Sequence, residues 1–354
     1  MRILTILFFL FTAISGVSQI NYELVWADEF DGNGAIDNNN WFHQTQIPAG
    51  GNWYNGEIQH YTNREVNANQ SNGTLKIVAK KEEFTDQGYT KQYTSARLNS
   101  KVAFTYGRME IRAKLPFGVG TWPAIWTLGK NIIEPGGYWT DTFGSVNWPA
   151  CGEIDIMEHW GGNQNFVQSA IHTPSSFGGT INLGGQNISN VSTEFHIYEM
   201  EWTSEEMIFS VDGIVHYTYN PPIKNQDTWP FDADQYILLN VAILPEIIPT
   251  TFTESTLEID YVRVYQESIL GTSDLANLNN VEFTNPLGDT LHIKIAKQLT
   301  GAIVQIYDLL GKQLYVDKLT NEYTAIDTSS FTKGVYLMKI QSPDGIITKK
   351  ILKR

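Results

Sequence analysis

Between residues 19 and 268, apolar and polar side chains alternate in short runs. Over 106–115, Gly107, Met109, Ile111, Ala113 and Leu115 fall on one face, while Arg108, Glu110, Arg112 and Lys114 fall on the other. That period of two marks an antiparallel strand with one buried and one wet face. Residues 74–80, 197–202, 207–212 and 257–265 read the same way. No longer run repeats with the 3.6-residue period of a helix, and no internal repeat emerges. About 250 residues of such strands in one domain predict an all-β fold, a large antiparallel β-sandwich.

The two ends depart from this pattern. Met1 and Arg2 precede an apolar run over 3–14, and Gly16-Val17-Ser18 offers small residues for cleavage. Residues 1–18 are therefore expected to be a secretory signal peptide. The run is short for a membrane span, and no later segment is long and apolar enough to be one. Beyond residue 268 the chain turns small and polar, which predicts a linker over 269–280. Residues 281–354 then carry strands over 290–295, 302–307, 335–340 and 346–352, separated by turns such as Pro343-Asp344-Gly345. They predict a small β-sandwich domain.

Charge sharpens that division. Residues 277–354 hold 10 Lys and Arg against 7 Asp and Glu, whereas residues 1–276 hold 14 against 31. A net charge of −14 excludes a nucleic-acid partner, which needs a basic footprint. With 17 Phe, 17 Tyr and 10 Trp, the chain is instead equipped to stack on neutral rings. Its one cysteine, Cys151, forbids an intrachain disulfide and a thiolate metal cluster, and is expected to be a buried packing residue.

The chemistry concentrates in Cys151-Gly-Glu-Ile-Asp-Ile-Met-Glu-His159. In a regular strand Glu153 and Asp155 share a face and Glu158 points into the core, where a bare carboxylate is costly. One β-bulge at Ile156-Met157 puts all three acids on one face. Mutual repulsion gives such a cluster no structural benefit, so it points to chemistry or to a cation. Retaining glycoside hydrolysis needs two carboxyl groups about 5–5.5 Å apart, one as nucleophile and one as acid/base. The outer glutamates can lean together over the short aspartate, and their proximity splits their titrations.

Glu153-Ile-Asp-Ile-Met-Glu158 resembles the active-site strand of glycoside hydrolase family 16 in its bulged, laminarinase-like form. Leu24–Asp31, Asn52–Thr62, Tyr93–Arg97, Leu115–Trp126 and Trp148–Glu153 carry further family-like motifs in order. The resemblance implies a concanavalin-like jelly roll, with Glu153 as nucleophile, Glu158 as acid/base and Asp155 orienting the nucleophile. It places Trp122, Trp126 and Trp148 as sugar-stacking candidates, and Arg97 and Asn55 as ligands of glucosyl hydroxyls. Arg97 can equally pair with an acid, and the Asn55 loop departs from the family's usual Gly-Asn-Asn-Glu. His172 is expected beside the carboxylates, tuning Asp155 or touching sugar. The insertion 130–147 is expected to form a cleft wall. No cofactor is implied for catalysis, but a structural calcium ion is, at Glu29, the Gly73 carbonyl and Asp260.

In the tail, Phe283-Thr-Asn-Pro286, Ile306–Gly311, Gly334–Leu337 and Lys349–Lys353 resemble a type A sorting domain of the type IX secretion system, with Thr284 in place of a usual proline. The expectation is a monomeric retaining endo-β-1,3-glucanase, exported by that machinery, with β-glucan as its partner and no membrane span in its mature form. Mixed-linkage glucanase, agarase or carrageenase activity and a non-catalytic glucan-binding role are the alternatives. The acidity of the large domain disfavours sulfated substrates.

Overall fold

Alternation along the strands builds two sheets that bury one face each against the other. A computed structural model describes residues 22–247, 250–267, 281–295, 297–309, 312–342 and 345–354. The expected signal peptide (1–18) and linker (269–280) lie outside the described residues. Two compact units are present, Tyr22–Glu267 and a second over the C-terminal region.

In the first unit a seven-stranded sheet runs in the order Leu183–Asn187, Phe166–His172, Glu153–Glu158, Thr121–Gly129, Gln235–Ile243, Arg97–Phe104 and Trp41–His43. A ten-stranded sheet covers its back, with Gly107–Lys114 and Glu254–Glu267 near its centre. The pairings in the seven-stranded sheet are all antiparallel. Met109, Ile111 and Ala113 point into the core, as their alternation predicts, alongside Ile154, Ile237, Leu239 and Val241 from the opposing sheet.

The Gln235–Ile243 strand is buried along its whole length. Ile237, Leu239 and Val241 serve the core between the sheets, while Tyr236 and Leu238 join Ala124, Trp126, Leu128 and Cys151 in a separate cluster on the other face. A strand covered on both faces shows no alternation in sequence, because neither side needs polar residues. Cys151 is a packing residue there, and burial pushes its thiol far above the usual range.

The second unit has its own core. Leu291, Ile293 and Ile295 meet Val304, Ile306, Met338 and Ile340 between a three-stranded and a four-stranded sheet, counted among the described residues. Thr290–Ile295 has the bounds its sequence predicts, and Gln313–Lys318 and Tyr323–Asp327 complete the sandwich.

A unit with its own apolar core is expected to fold independently. Residues 22–267 produced alone should therefore give one cooperative thermal transition. A broad, non-cooperative melt of that fragment would show that its stability depends on the remainder of the chain.

Candidate active site

Against the Thr121–Gly129 strand, Glu153 faces Leu128 and Asp155 faces Trp126; Met157 then faces Ile125 and Glu158 faces Ala124. Two residues, Ile156 and Met157, therefore occupy one step. On the opposite side Asp155 faces Ala170 and Glu158 faces Gln168, again with one residue too many between them. This is the bulge that the acid spacing predicts. Ile154, Ile156 and Met157 are all sealed in the core, while Glu153, Asp155 and Glu158 line one cavity of about 340 Å3 on the outer face of the sheet.

Each acid has a nitrogen-bearing neighbour close to its carboxyl group. Trp148 Nε1 donates to Glu153 Oε2 at 3.0 Å, and Trp122 Nε1 donates to Glu158 Oε1 at 3.2 Å. His172 lies opposite Glu153 on the neighbouring strand, with its Nε2 3.1 Å from Asp155 Oδ2 and 3.7 Å from Glu153 Oε1. The imidazole thus stands beside two of the three carboxyl groups.

Burial makes charge expensive here. Desolvation raises the pKa of Glu153 well above the usual carboxylate range, with repulsion from Asp155 adding to it and His172 opposing it. Asp155 is pushed up to about 8 by burial. Glu158 is also pushed up to about 8, by burial first and by the neighbouring Asp155 second. The three groups titrate as a cluster, so the cleft holds protons at neutral pH instead of three negative charges.

The tryptophans and Arg97 divide into surface and foundation. Trp148 is 40 % exposed and meets the edge of Phe177. Trp122 is half-buried and stacks on Trp160, with ring centroids 5.6 Å apart. Trp126 shares their face and lines the same cavity. It is buried, its Nε1 donates to Asn240 Oδ1 at 2.7 Å, and the Arg97 guanidinium lies 4.7 Å over its ring. Arg97 takes the acid-pairing option: its Nη2 lies 2.6 Å from Glu134 Oε1, with both side chains almost wholly enclosed. Nε of Arg97 donates to Gln44 Oε1 at 2.9 Å. Asn55 lines the cavity from the Tyr54–Gly56 turn, in a left-handed conformation with φ of 56°.

Several lining residues escaped the sequence reading. Glu134, with Ile132 and Ile133, enters from the insertion over 130–147, which does form a wall. Glu57 is buried and accepts hydrogen bonds from Gln59 Nε2 at 2.7 Å and the Tyr61 hydroxyl at 2.9 Å. Asn240 donates to that same hydroxyl at 3.1 Å, which ties it to Glu57. The Asn55-Gly-Glu57 motif offered a signal for Glu57; Asn240, in a uniformly apolar run, offered none.

The expected calcium ligands do not fit that role as the side chains stand. The Glu29 carboxylate accepts two hydrogen bonds from Arg263, at 2.7 and 2.8 Å, and Asp260 is paired with Arg112. Gly73 occupies the turn between Ala68–Ser71 and Thr74–Asp86. Carboxylates neutralised by guanidinium groups are poor oxygen donors for a hard cation.

A sandwich whose sheet face carries buried acids among tryptophans has the build of a polysaccharide-cleaving enzyme. The family model described as Glycosyl hydrolases family 16 matches residues 55–263, and the chain belongs to that family. The "Beta-glucanase" of Rhodothermus marinus is 38% identical over 262 residues, covering 70% of this chain and 86% of that protein. A crystal structure of a Zobellia galactanivorans LamA variant, titled as a complex with laminaritriose and laminaritetraose, is 45% identical with a TM-score of 0.65, covering 70% of this chain and 100% of that one. A "Beta-1,3-glucan-binding protein" of Penaeus monodon is 29% identical, covering 62% of this chain and 74% of that protein. The chain is a glycoside hydrolase acting on β-glucan. Residues 283–354 match a Secretion system C-terminal sorting domain, which directs the protein through type IX secretion to the cell surface or the exterior.

The raised pKa of Glu158 has a consequence for stability. With about 8 in the folded state against the ordinary 4.5, the folded protein holds a proton that the unfolded chain releases, so stability falls as pH rises between those values. Glu158→Gln removes the titration. Its melting temperature relative to the unsubstituted protein should rise by several degrees between pH 4 and pH 9. A difference that does not grow with pH would contradict the burial of this charge.

Proposed function

We propose that the protein is a retaining, endo-acting β-1,3-glucanase of the laminarin-hydrolysing type. The observation that carries the reading is the bulge that brings Glu153, Asp155 and Glu158 to one cavity. Glu153 attacks the anomeric carbon as the carboxylate while Glu158 gives its proton to the glycosidic oxygen. The carbon–oxygen bond to the leaving sugar breaks, and a glycosyl ester on Glu153 forms. Glu158, now ionised, takes a proton from water as that water attacks the same carbon and frees Glu153.

The surroundings suit those roles. Burial and Asp155 raise Glu153 as well, so the two acids share their proton as a pair. The reactive form is the one with the proton on Asp155 and the charge on Glu153, where His172 and the Trp148 N–H favour it. Glu158 holds its proton at neutral pH, as an acid must. Trp148 and Trp122 offer ring faces at the cavity for neutral glucosyl units. The laminari-oligosaccharides of the Zobellia complex support the β-1,3 linkage. The intact trio disfavours a purely binding role like that named for the Penaeus relative.

Glu153→Gln and Glu158→Gln should each lower laminarin hydrolysis by about a thousandfold or more, with the fold intact by circular dichroism. Near-normal turnover in either variant would sink the assignment. On the unsubstituted enzyme, the first sugar released should carry the β-anomeric proton in a time-resolved NMR spectrum. Activity should also fall as pH rises past about 8, where Glu158 loses its proton. Faster cleavage of lichenan or agarose than of laminarin would move the substrate elsewhere in the family.

A further inference from the structure

The bulge leaves one residue over. Ile156 has no opposite number on either flanking strand, and its side chain is fixed in the apolar core. Its carbonyl is met by a side chain: Ser169 Oγ donates to Ile156 O at 2.7 Å. Ser169 is wholly buried on the adjacent Phe166–His172 strand.

The support continues across the sandwich. Ser169 spends its only proton on Ile156, so its 2.9 Å contact with His216 Nε2 has the imidazole as donor. Nδ1 of His216 is then left as an acceptor, and Gln186 Nε2 reaches it at 3.3 Å. One tautomer satisfies the whole chain, and burial holds the imidazole neutral by pushing its pKa down to about 4. His216 belongs to the Ile214–Tyr219 strand at the edge of the ten-stranded sheet. Gly184 permits the approach: a Cβ there would lie 2.7 Å from Tyr217 Cβ and 2.9 Å from the His216 carbonyl.

We propose that Ser169, backed by His216 and Gln186, is a positioning residue for catalysis: its hydroxyl pins the bulge that aims Glu158 at the glycosidic oxygen. The proposal rests on Glu158 being the acid/base. A slip of one residue would turn Glu158 toward the core, so the bulge must be held at one point. The Ile156 carbonyl, on the residue that has no register partner, is the point at which the Ser169 hydroxyl holds it there.

The test separates aiming of the acid from general damage. Ser169→Ala should lower kcat/KM for laminarin about tenfold or more. For 2,4-dinitrophenyl β-laminaribioside, whose leaving group departs without protonation, the loss should stay within about threefold. His216→Phe should show the same split at smaller size. Unchanged laminarin hydrolysis in Ser169→Ala, or an equal loss on both substrates, would overturn the proposal. Laminarin hydrolysis surviving in Glu158→Gln would instead overturn the role assigned to Glu158, so the two failures are distinguishable.

Discussion

Three carboxyl groups on one six-residue strand repel one another and resist burial, and the sandwich holds them only because that strand carries one extra residue. Without the bulge, Glu158 would face Ile237, Leu239 and their neighbours between the sheets, a place for a hydrocarbon side chain. With it, Ile156 and Met157 both serve the core and the acids all face the cleft. Packing and chemistry are therefore one constraint. The apolar residues that interrupt the acids anchor the strand, and their anchoring fixes which way the acids point.

The cleft next to that strand is built to keep charge matched rather than abundant. Arg97 is enclosed with Glu134 and covered by Trp126, so neither ion offers a free charge to the cavity. Burial of an ion pair seldom adds stability, and its better-attested use is to specify geometry. Here it joins three distant stretches of chain, since Gln44 also binds Arg97 and Asn99. The wall bearing Glu134, the strand bearing Arg97 and the segment bearing Gln44 are locked in register around the cavity.

How much of this was legible in the sequence depends on whether a residue obeys one rule or two. Strands with one wet face announced themselves: Gly107–Lys114 lies within a residue of its expected bounds. The bulge was legible because the spacing of Glu153, Asp155 and Glu158 conflicts with a regular strand. Gln235–Ile243 was not, because burial on both faces erases the alternation. The surroundings of Trp126, which lines the cavity, were hidden for a related reason. Its position four residues after Trp122 put both on the cleft face, but a position on a face does not show that Arg97 covers it. Glu29 and Asp260 had suitable oxygen atoms for a cation, and only three dimensions reveal Arg263 and Arg112 taking them.

These observations explain how a strongly acidic chain can present a cleft suited to an uncharged polymer. The acidic excess lies in residues 1–276, yet among the acids at the cavity Asp155 and Glu158 hold their protons below about 8 and Glu134 is paired with Arg97, which leaves Glu153 to carry the charge the chemistry uses. What the cavity displays instead is aromatic rings, amides and N–H donors. Glucosyl hydroxyls can exchange water for such groups without the desolvation cost that an ion would impose. A sulfated chain would meet the surrounding negative field with little cationic compensation in the cleft. Discrimination of this kind comes from where the charges are neutralised, and net charge alone would not reveal it.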